Sequence, residues 1–116
     1  MVIGAGSGLE VSSEAADRGL SVAVVERGPF GGTCLNRGCI PSKILIHSAD
    51  VMETIQRAEL FGIKAEVSAV DWDRIVSRAV DTVDGDAEMV EEGNRRHPKI
   101  SVFKETGKFV GTGFWR

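Results

Sequence analysis

Residues 2–26 read V-I-G-A-G-S-G-L-E-V-S-S-E-A-A-D-R-G-L-S-V-A-V-V-E. The stretch opens on a short apolar run, Val2-Ile3, that stops at Gly4. It closes on Ser21 to Glu26, which is β-rich and nearly continuously apolar, the pattern of a strand buried on both faces. Between the two, Gly8 to Arg18 favours a helix, and Gly19 stands where a C′ glycine ends one. Strand, helix and strand in that order predict a β-α-β unit with a parallel pair. Gly4 permits a tight turn after the first strand. Gly6 lets backbone N–H groups approach a pyrophosphate, and the helix N-terminus, with Gly8 in its first turn, presents orphan donors and a partial positive charge to that anion. Glu26 follows twenty residues after Gly6, where an acidic side chain would accept hydrogen bonds from the hydroxyls of an adenosine ribose. The third glycine of G-x-G-x-x-G is missing, because Leu9 occupies its place. Close helix–strand packing must then come from a wider crossing or from Gly8.

Outward from this unit, Gly28, Pro29, Gly31 and Gly32 break regular structure. A helix is expected over about 41–60, with Ile44, Val51, Ile55 and Ala58 on one face and Gly62 ending it. Residues 65–67 read as a short strand. A second long helix is expected over about 71–92, where Trp72, Ile75, Val76, Ala79, Val80, Val83, Ala87 and Val90 form a stripe. Gly85 interrupts it at a cost of about 1 kcal/mol relative to Ala. Both helices should pack with their stripes inward. After Pro98, residues 100–104 and 108–110 look like two strands around Gly107. The fold class is therefore α/β: a Rossmann-like β-α-β half-domain carrying two long helices.

The 116 residues fit one small domain. A 42% hydrophobic share is enough for a single core, and the formal net charge of −3 argues against a nucleic-acid binder. Two cysteines do not make a disulfide scaffold. No run of about 18 apolar residues offers a membrane span. No secretory pattern precedes the first strand, so a cytoplasmic, reducing setting is expected. His47 and His97 lie far apart in sequence, without the spacing of metal ligands, so no metal site is expected. His47 reads as a packing or partly solvated residue and His97 as a surface-loop residue.

Residues 31–43 read G-G-T-C-L-N-R-G-C-I-P-S-K. In a regular helix, five residues at a rise of about 1.5 Å would carry the Cα atoms of Cys34 and Cys39 past the usual disulfide limit of about 7 Å. Gly38 and Pro41 are the residues that would let the backbone distort and close the gap. A short, accessible disulfide is the labile kind used in electron exchange. The helix N-terminus beside Cys39, with Lys43 one turn on, should favour its thiolate. Two buried, inert thiols are the other reading of a bare C-x4-C.

The string C-L-N-R-G-C-I-P-S-K, preceded by V-E-R-G-P-F-G-G-T, resembles the redox segment of the flavin-dependent pyridine nucleotide-disulfide oxidoreductases, especially the dihydrolipoamide dehydrogenases. The likeness continues in E-T-G-K-F-V-G near the end. It implies that residues 1–116 are the N-terminal portion of an FAD-binding domain, with the nicotinamide and dimerisation domains elsewhere. It implies that Gly4, Gly6 and Gly8 cradle the FAD pyrophosphate, that Glu26 holds the adenosine ribose, and that Gly107 offers backbone groups to the adenine. Gly32, Thr33 and Cys34 would line the cofactor, with Lys43 beside the flavin ring. Cys34 would be the interchange thiol and Cys39 the charge-transfer thiol. The implied activity passes electrons between NAD(P)H, FAD, the Cys34–Cys39 pair and a small lipoamide-type dithiol or disulfide, in a homodimer whose histidine base lies outside these residues. Arg37 stands where the family commonly has Val, and Glu105 where it often has Gly. The G-x-G-S-G opening is also similar to that of mycothione reductases, and S-K-I-L-I-H-S-A-D to mercuric reductase. A non-enzymatic nucleotide-binding or thiol module is the alternative from another class. An NAD-dependent dehydrogenase using the first motif alone leaves the two cysteines unexplained. Apolar surface around Phe109, Phe114 and Trp115 should lie exposed in the chain by itself.

Overall fold

The computed structural model describes residues 1–112 and 114–115, apart from the side chains of Phe109, Phe114 and Trp115. The expectation about those three aromatic rings therefore lies outside the described residues. Strand β1 (Val2–Ile3) pairs in parallel with β2 (Val22–Val25), Val2 opposite Val24. Helix α1 (Gly8–Asp17) makes the crossover between them. β2 pairs in parallel on its other side with β3 (Ile100–Phe103), Val22 opposite Ile100 and Val25 opposite Phe103. The sheet order is β1-β2-β3. β2 is the central strand, which explains why its sequence is apolar on both faces: Val22, Val24 and Val25 are all buried. The expected β-α-β unit is thus present, with a third parallel strand added.

The connection from β2 to β3 carries the remaining helices: α2 (Gly32–Arg37), α3 (Cys39–Gln56) and α4 (Trp72–Arg96). A 3-10 turn (Ala58–Phe61) follows α3. Several boundaries differ from the sequence reading. The short helix α2 was not anticipated, because its glycine-rich start reads as a breaker. Residues 65–67 form no strand; they belong to an exposed irregular stretch between the 3-10 turn and Asp71. α4 runs unbroken through Gly85, since 25 residues of backbone hydrogen bonding outweigh one unfavourable propensity. Its start is sharp, with the Asp71 carboxylate accepting from the Arg74 N–H at 2.9 Å. The strands expected on either side of Gly107 both exist but belong to different sheets, because Phe109–Gly111 (β4) pairs antiparallel with Phe114–Trp115 (β5).

The core consists of Ala5, Ala16, Val22, Val24, Phe30 and Ile100, with Val2, Leu9, Ala15, Val90 and Val102 packed against it. The inward packing expected of both long helices holds only in part. α4 buries Ala79, Val83 and Ala87, while Trp72, Val80 and Met89 stay exposed. α3 buries no residue fully. The sheet is short, and the chain measures 66 × 27 × 22 Å along its principal axes. α4 meets the sheet at β3 and α3 meets α2, and the two long helices also pack on each other. Arg78 of α4 joins them by donating to the Ile44 carbonyl at 3.0 Å and to Ser48 Oγ at 3.1 Å.

Candidate functional site

The parallel strands end together, and the turns that leave them build one cluster. The Gly4 N–H donates to the Val25 carbonyl at 2.8 Å, and Gly4 takes φ +94° to turn the chain away. Glu26 continues the β2–β3 pairing through its own N–H to the Phe103 carbonyl at 2.9 Å. Its carboxylate then bridges two turns, Oε2 accepting from the Ala5 N–H at 2.8 Å and Oε1 from the Gly28 N–H at 2.7 Å. Partial burial pushes this carboxyl up. The N–H donors of Ala5, Gly28 and Arg27, with the Lys104 charge, outweigh it and hold Glu26 below the usual carboxylate range. The group placed twenty residues from Gly6 is charged and fixed against the glycine turn.

The second motif is strapped onto the first. The Gly31 N–H donates to the Ala5 carbonyl at 2.7 Å. Gly32, at φ +66°, approaches so closely that a Cβ there would lie 2.7 Å from Gly6 Cα. Two backbone segments touch where each has glycine, and Gly32 thus packs against the turn as well as standing at its rim. Gly8 performs the close approach that Leu9 cannot, because a Cβ on Gly8 would meet Val2 Cγ1 at 2.7 Å. Leu9 turns instead against the core. Ser7 at the N-cap of α1 makes no side-chain cap; the Leu9 N–H is taken by the Gly6 carbonyl at 3.0 Å, and the other first-turn donors are left for an anion. Gly107 packs over the same strand ends, where an added Cβ would be 3.2 Å from Val25 Cγ1 and 3.5 Å from Ile3.

Glu26, Arg27, Thr33, Asn36 and Arg37 border a cavity of about 280 Å³ beside this cluster. A larger one of about 780 Å³ lies between Met52 and Val67. It is lined by Glu59, Glu66 and Lys64 with apolar neighbours, whereas the smaller is bordered by Glu26 and by Gly32 and Thr33 just before Cys34, so the chemistry favours the smaller.

Cys34 lies in α2, and Cys39 is the first residue of α3. The regular helix that would have separated them is broken at Gly38. A Cβ on Gly38 would stand 3.0 Å from the Thr33 carbonyl oxygen and 3.3 Å from Cys34 Cα, so glycine lets α3 fold back over α2. Pro41 does not distort anything. It sits in the first turn of α3, where its missing N–H leaves no intrahelical bond unmade. Both cysteines are free thiols and exposed, not the buried pair of the alternative reading. A side-chain hydrogen bond to Cys39 pushes the Cys34 thiol above its ordinary value of 9.0, with a smaller contribution from desolvation. Lys43 is exposed one turn beyond Cys39.

Three contributors escaped the sequence reading. Phe30, placed in a run of breakers, is fully buried and anchors the loop before α2. Asn36 donates to the carbonyls of Phe30 and Gly32, each at 2.9 Å, and fixes the start of α2. Lys104 reaches the Gly28 carbonyl from 76 residues away. Only the unusual Phe between Pro29 and Gly31 could have signalled the first, and nothing in the spacing marks the others. Neither histidine hydrogen-bonds a thiol, and each stands beside a carboxylate: His47 Nδ1 is 3.9 Å from Asp50 and His97 Nε2 is 3.5 Å from Asp17. His97 is half-buried rather than a free loop residue, because its Nδ1 also accepts from the Lys99 N–H at 3.2 Å as α4 ends.

With that geometry in view, similarity to known proteins becomes informative. A sequence model for the pyridine nucleotide-disulphide oxidoreductases matches residues 1–112. Mycothione reductase of Mycobacterium tuberculosis is 41% identical over 110 residues, covering 93% of this chain and 23% of that protein. Dihydrolipoyl dehydrogenase of Chlamydia pneumoniae is 43% identical over 113 residues, covering 97% of this chain and 24% of that protein. The solved HOCl-induced flavoprotein disulfide reductase RclA of Escherichia coli, in its Cu(II) complex, superposes with a TM-score of 0.79 at 26% identity, over 99% of this chain and 23% of that one. The chain spans about a quarter of the length of the curated relatives it matches. By sequence and by fold, it belongs to the pyridine nucleotide-disulphide oxidoreductase family.

Proposed function

We propose that residues 1–116 are the N-terminal, FAD-binding and redox-disulfide portion of a flavoprotein disulfide oxidoreductase of the dihydrolipoyl dehydrogenase type. The observation that carries the reading is the direct contact of the two motifs. Gly6 of the phosphate turn lies against Gly32, two residues before Cys34, so a dinucleotide on the turn lies next to the thiol-bearing helix. The residues present fit FAD. The turn at Gly4, Gly6 and Gly8 has no side chain to exclude a pyrophosphate, and the uncapped start of α1 supplies donors. Glu26 keeps a charged carboxylate whose oxygens retain lone pairs for ribose hydroxyls after accepting from Ala5 and Gly28. Gly107 closes over the same edge, while Thr33 and Lys43 flank the thiols. FAD, when bound, supplies two-electron chemistry between a nicotinamide and a disulfide.

The chain's own chemistry is thiol–disulfide exchange. Cys34, once its proton is removed, attacks one sulfur of a small disulfide such as a lipoamide-type ring. The S–S bond breaks, and the released sulfur takes a proton. Cys39, having given up its own proton, then attacks Cys34 Sγ, forming the Cys34–Cys39 disulfide and expelling the second substrate sulfur, which takes a proton. The substrate gains two electrons and two protons, and the cysteine pair loses them. The raised thiol of Cys34 calls for a base, and neither His47 nor His97, which stand beside Asp50 and Asp17, is hydrogen-bonded to it. The base, the nicotinamide domain and a homodimer partner are proposed to come from further sequence. A cytoplasmic setting suits a dithiol that must return to the reduced state. The G-x-G-S-G turn and the mycobacterial relative favour a mycothione-type disulfide as the second substrate reading.

Thiol counting tests the proposal. After mild oxidation the chain should show no free thiol, and dithiothreitol should restore both. Two titratable thiols persisting after oxidation would defeat the redox reading. The isolated chain should retain FAD weakly or not at all and show no NADH-dependent turnover with lipoamide. Stoichiometric yellow flavin after purification would show that this chain carries more of the site than proposed.

A further inference from the structure

Lys104 follows β3 and lies outside every motif discussed above. Its ammonium donates to the Gly28 carbonyl at 2.7 Å and to Glu91 Oε2 at 2.8 Å, and it stands 5.3 Å from the centroid of the Phe30 ring. Isolated surface ion pairs contribute little to stability. This one differs because three partners from two separate parts of the chain converge on one cation. The Glu91 side chain is only 21% exposed and that of Lys104 37%. Glu91 Oε1 also accepts from Arg95 at 2.8 Å, so both of its oxygens are engaged. Gly28 is the residue whose N–H binds Glu26 Oε1. Lys104 therefore grips the carbonyl side of the same residue that Glu26 grips by its N–H.

We propose that Lys104 is a positioning residue. It staples the Glu26–Phe30 loop to the C-terminal part of α4, and so holds the Glu26 carboxylate where the ribose of a dinucleotide would meet it. The binding role rests on the flavin reading above. The stapling is testable without flavin, so failure of one is distinguishable from failure of the other. Phe30 leads directly into Gly31 and Gly32, so the same staple secures the loop that places α2 against the phosphate turn. A message from α4 to the ribose acceptor has a physical carrier in Glu91, Lys104, Gly28 and Glu26, each touching the next.

The test is amide hydrogen exchange on the 116-residue chain, comparing Lys104→Met, which keeps the aliphatic stem, with Lys104→Arg, which keeps the charge. Loss of one charge-assisted hydrogen bond should speed exchange of the Gly28 and Ala5 amides about tenfold in Lys104→Met. The Val22 and Leu20 amides, bonded to the Lys99 and Ala15 carbonyls, should be unchanged. Lys104→Arg should restore the slow exchange. The Glu26 carboxyl, followed by side-chain carbon NMR, should titrate higher in Lys104→Met and be unmoved in Lys104→Arg. Glu91→Gln gives a second route should Lys104→Met fail to fold, and should speed the Gly28 and Ala5 amides in the same direction. Acceleration shared equally by Val22 and Leu20, no acceleration, no rescue by Arg, or an unmoved Glu26 titration overturns the proposal.

Discussion

Glycine 32 shows how much one missing side chain can carry. Its φ of +66° and its approach to Gly6 impose separate penalties on any Cβ. Gly62 has a similar φ of +78° but open space around it. Gly62→Ala should thus cost only the left-handed backbone term, about 1–2 kcal/mol, whereas Gly32→Ala should cost about 3 kcal/mol or more. Urea unfolding of the two variants measures the difference, and equal losses would mean that the Gly6–Gly32 contact is slack. At the thiols, the hydrogen bond to Cys39 favours the neutral form of Cys34, so its thiolate forms at higher pH than that of an ordinary thiol. Alkylation by iodoacetamide follows the thiolate, and its rate at Cys34 should therefore climb with pH through that raised value. Cys39→Ala removes the first cause of the shift and should bring the profile down toward 9.0. A profile indifferent to the substitution would show that the two sulfurs do not interact.

Helix α1 illustrates how a departure from the usual glycine pattern is absorbed by an element. The close crossing over β1 falls to Gly8, next to Val2, and the displaced position carries Leu9, which packs against the core. Restoring a glycine there would recover nothing. Leu9→Gly should destabilise the chain by about 2–3 kcal/mol through lost packing and helix propensity, measured as a lower thermal or urea midpoint. An unchanged midpoint would show that Leu9 is a spectator. The same logic separates α2 from α3. One continuous helix would hold the cysteines apart, and Gly38 breaks it by admitting the Thr33 carbonyl and Cys34 Cα into space that a Cβ would fill.

At the scale of the molecule, the chain is long for its size, and its apolar surface is unevenly covered. Leu60, Phe61 and Trp72 are 76%, 79% and 62% exposed at or near the far end of the helical arm. Surface of this kind marks contact with further protein or self-association. The 116 residues alone should therefore sediment as concentration-dependent oligomers, and Leu60→Asp with Phe61→Asp should return them toward the monomer. A monomer at all concentrations would remove the case for an unmet partner face. No helix among the described residues is long and apolar enough to cross a membrane.

The β-α-β unit, its glycine turn and the acidic residue fixed against that turn were legible in residues 2–26, because period, glycine placement and the apolar central strand are local signals. The two cysteines stood out only within the whole string G-G-T-C-L-N-R-G-C-I-P-S-K, since C-x4-C alone reads equally as two inert thiols, and both are exposed. Which residues hold those parts together was not legible. Phe30 looked like part of a loop and proved to be core, Asn36 carried no pattern, and Lys104 meets Gly28 across 76 residues. The inward faces of α3 and α4 were misjudged for a related reason. A 3.6-residue stripe declares that a face is apolar, but whether anything covers it depends on the reach of the sheet beneath, and that reach is set by how far three short strands extend.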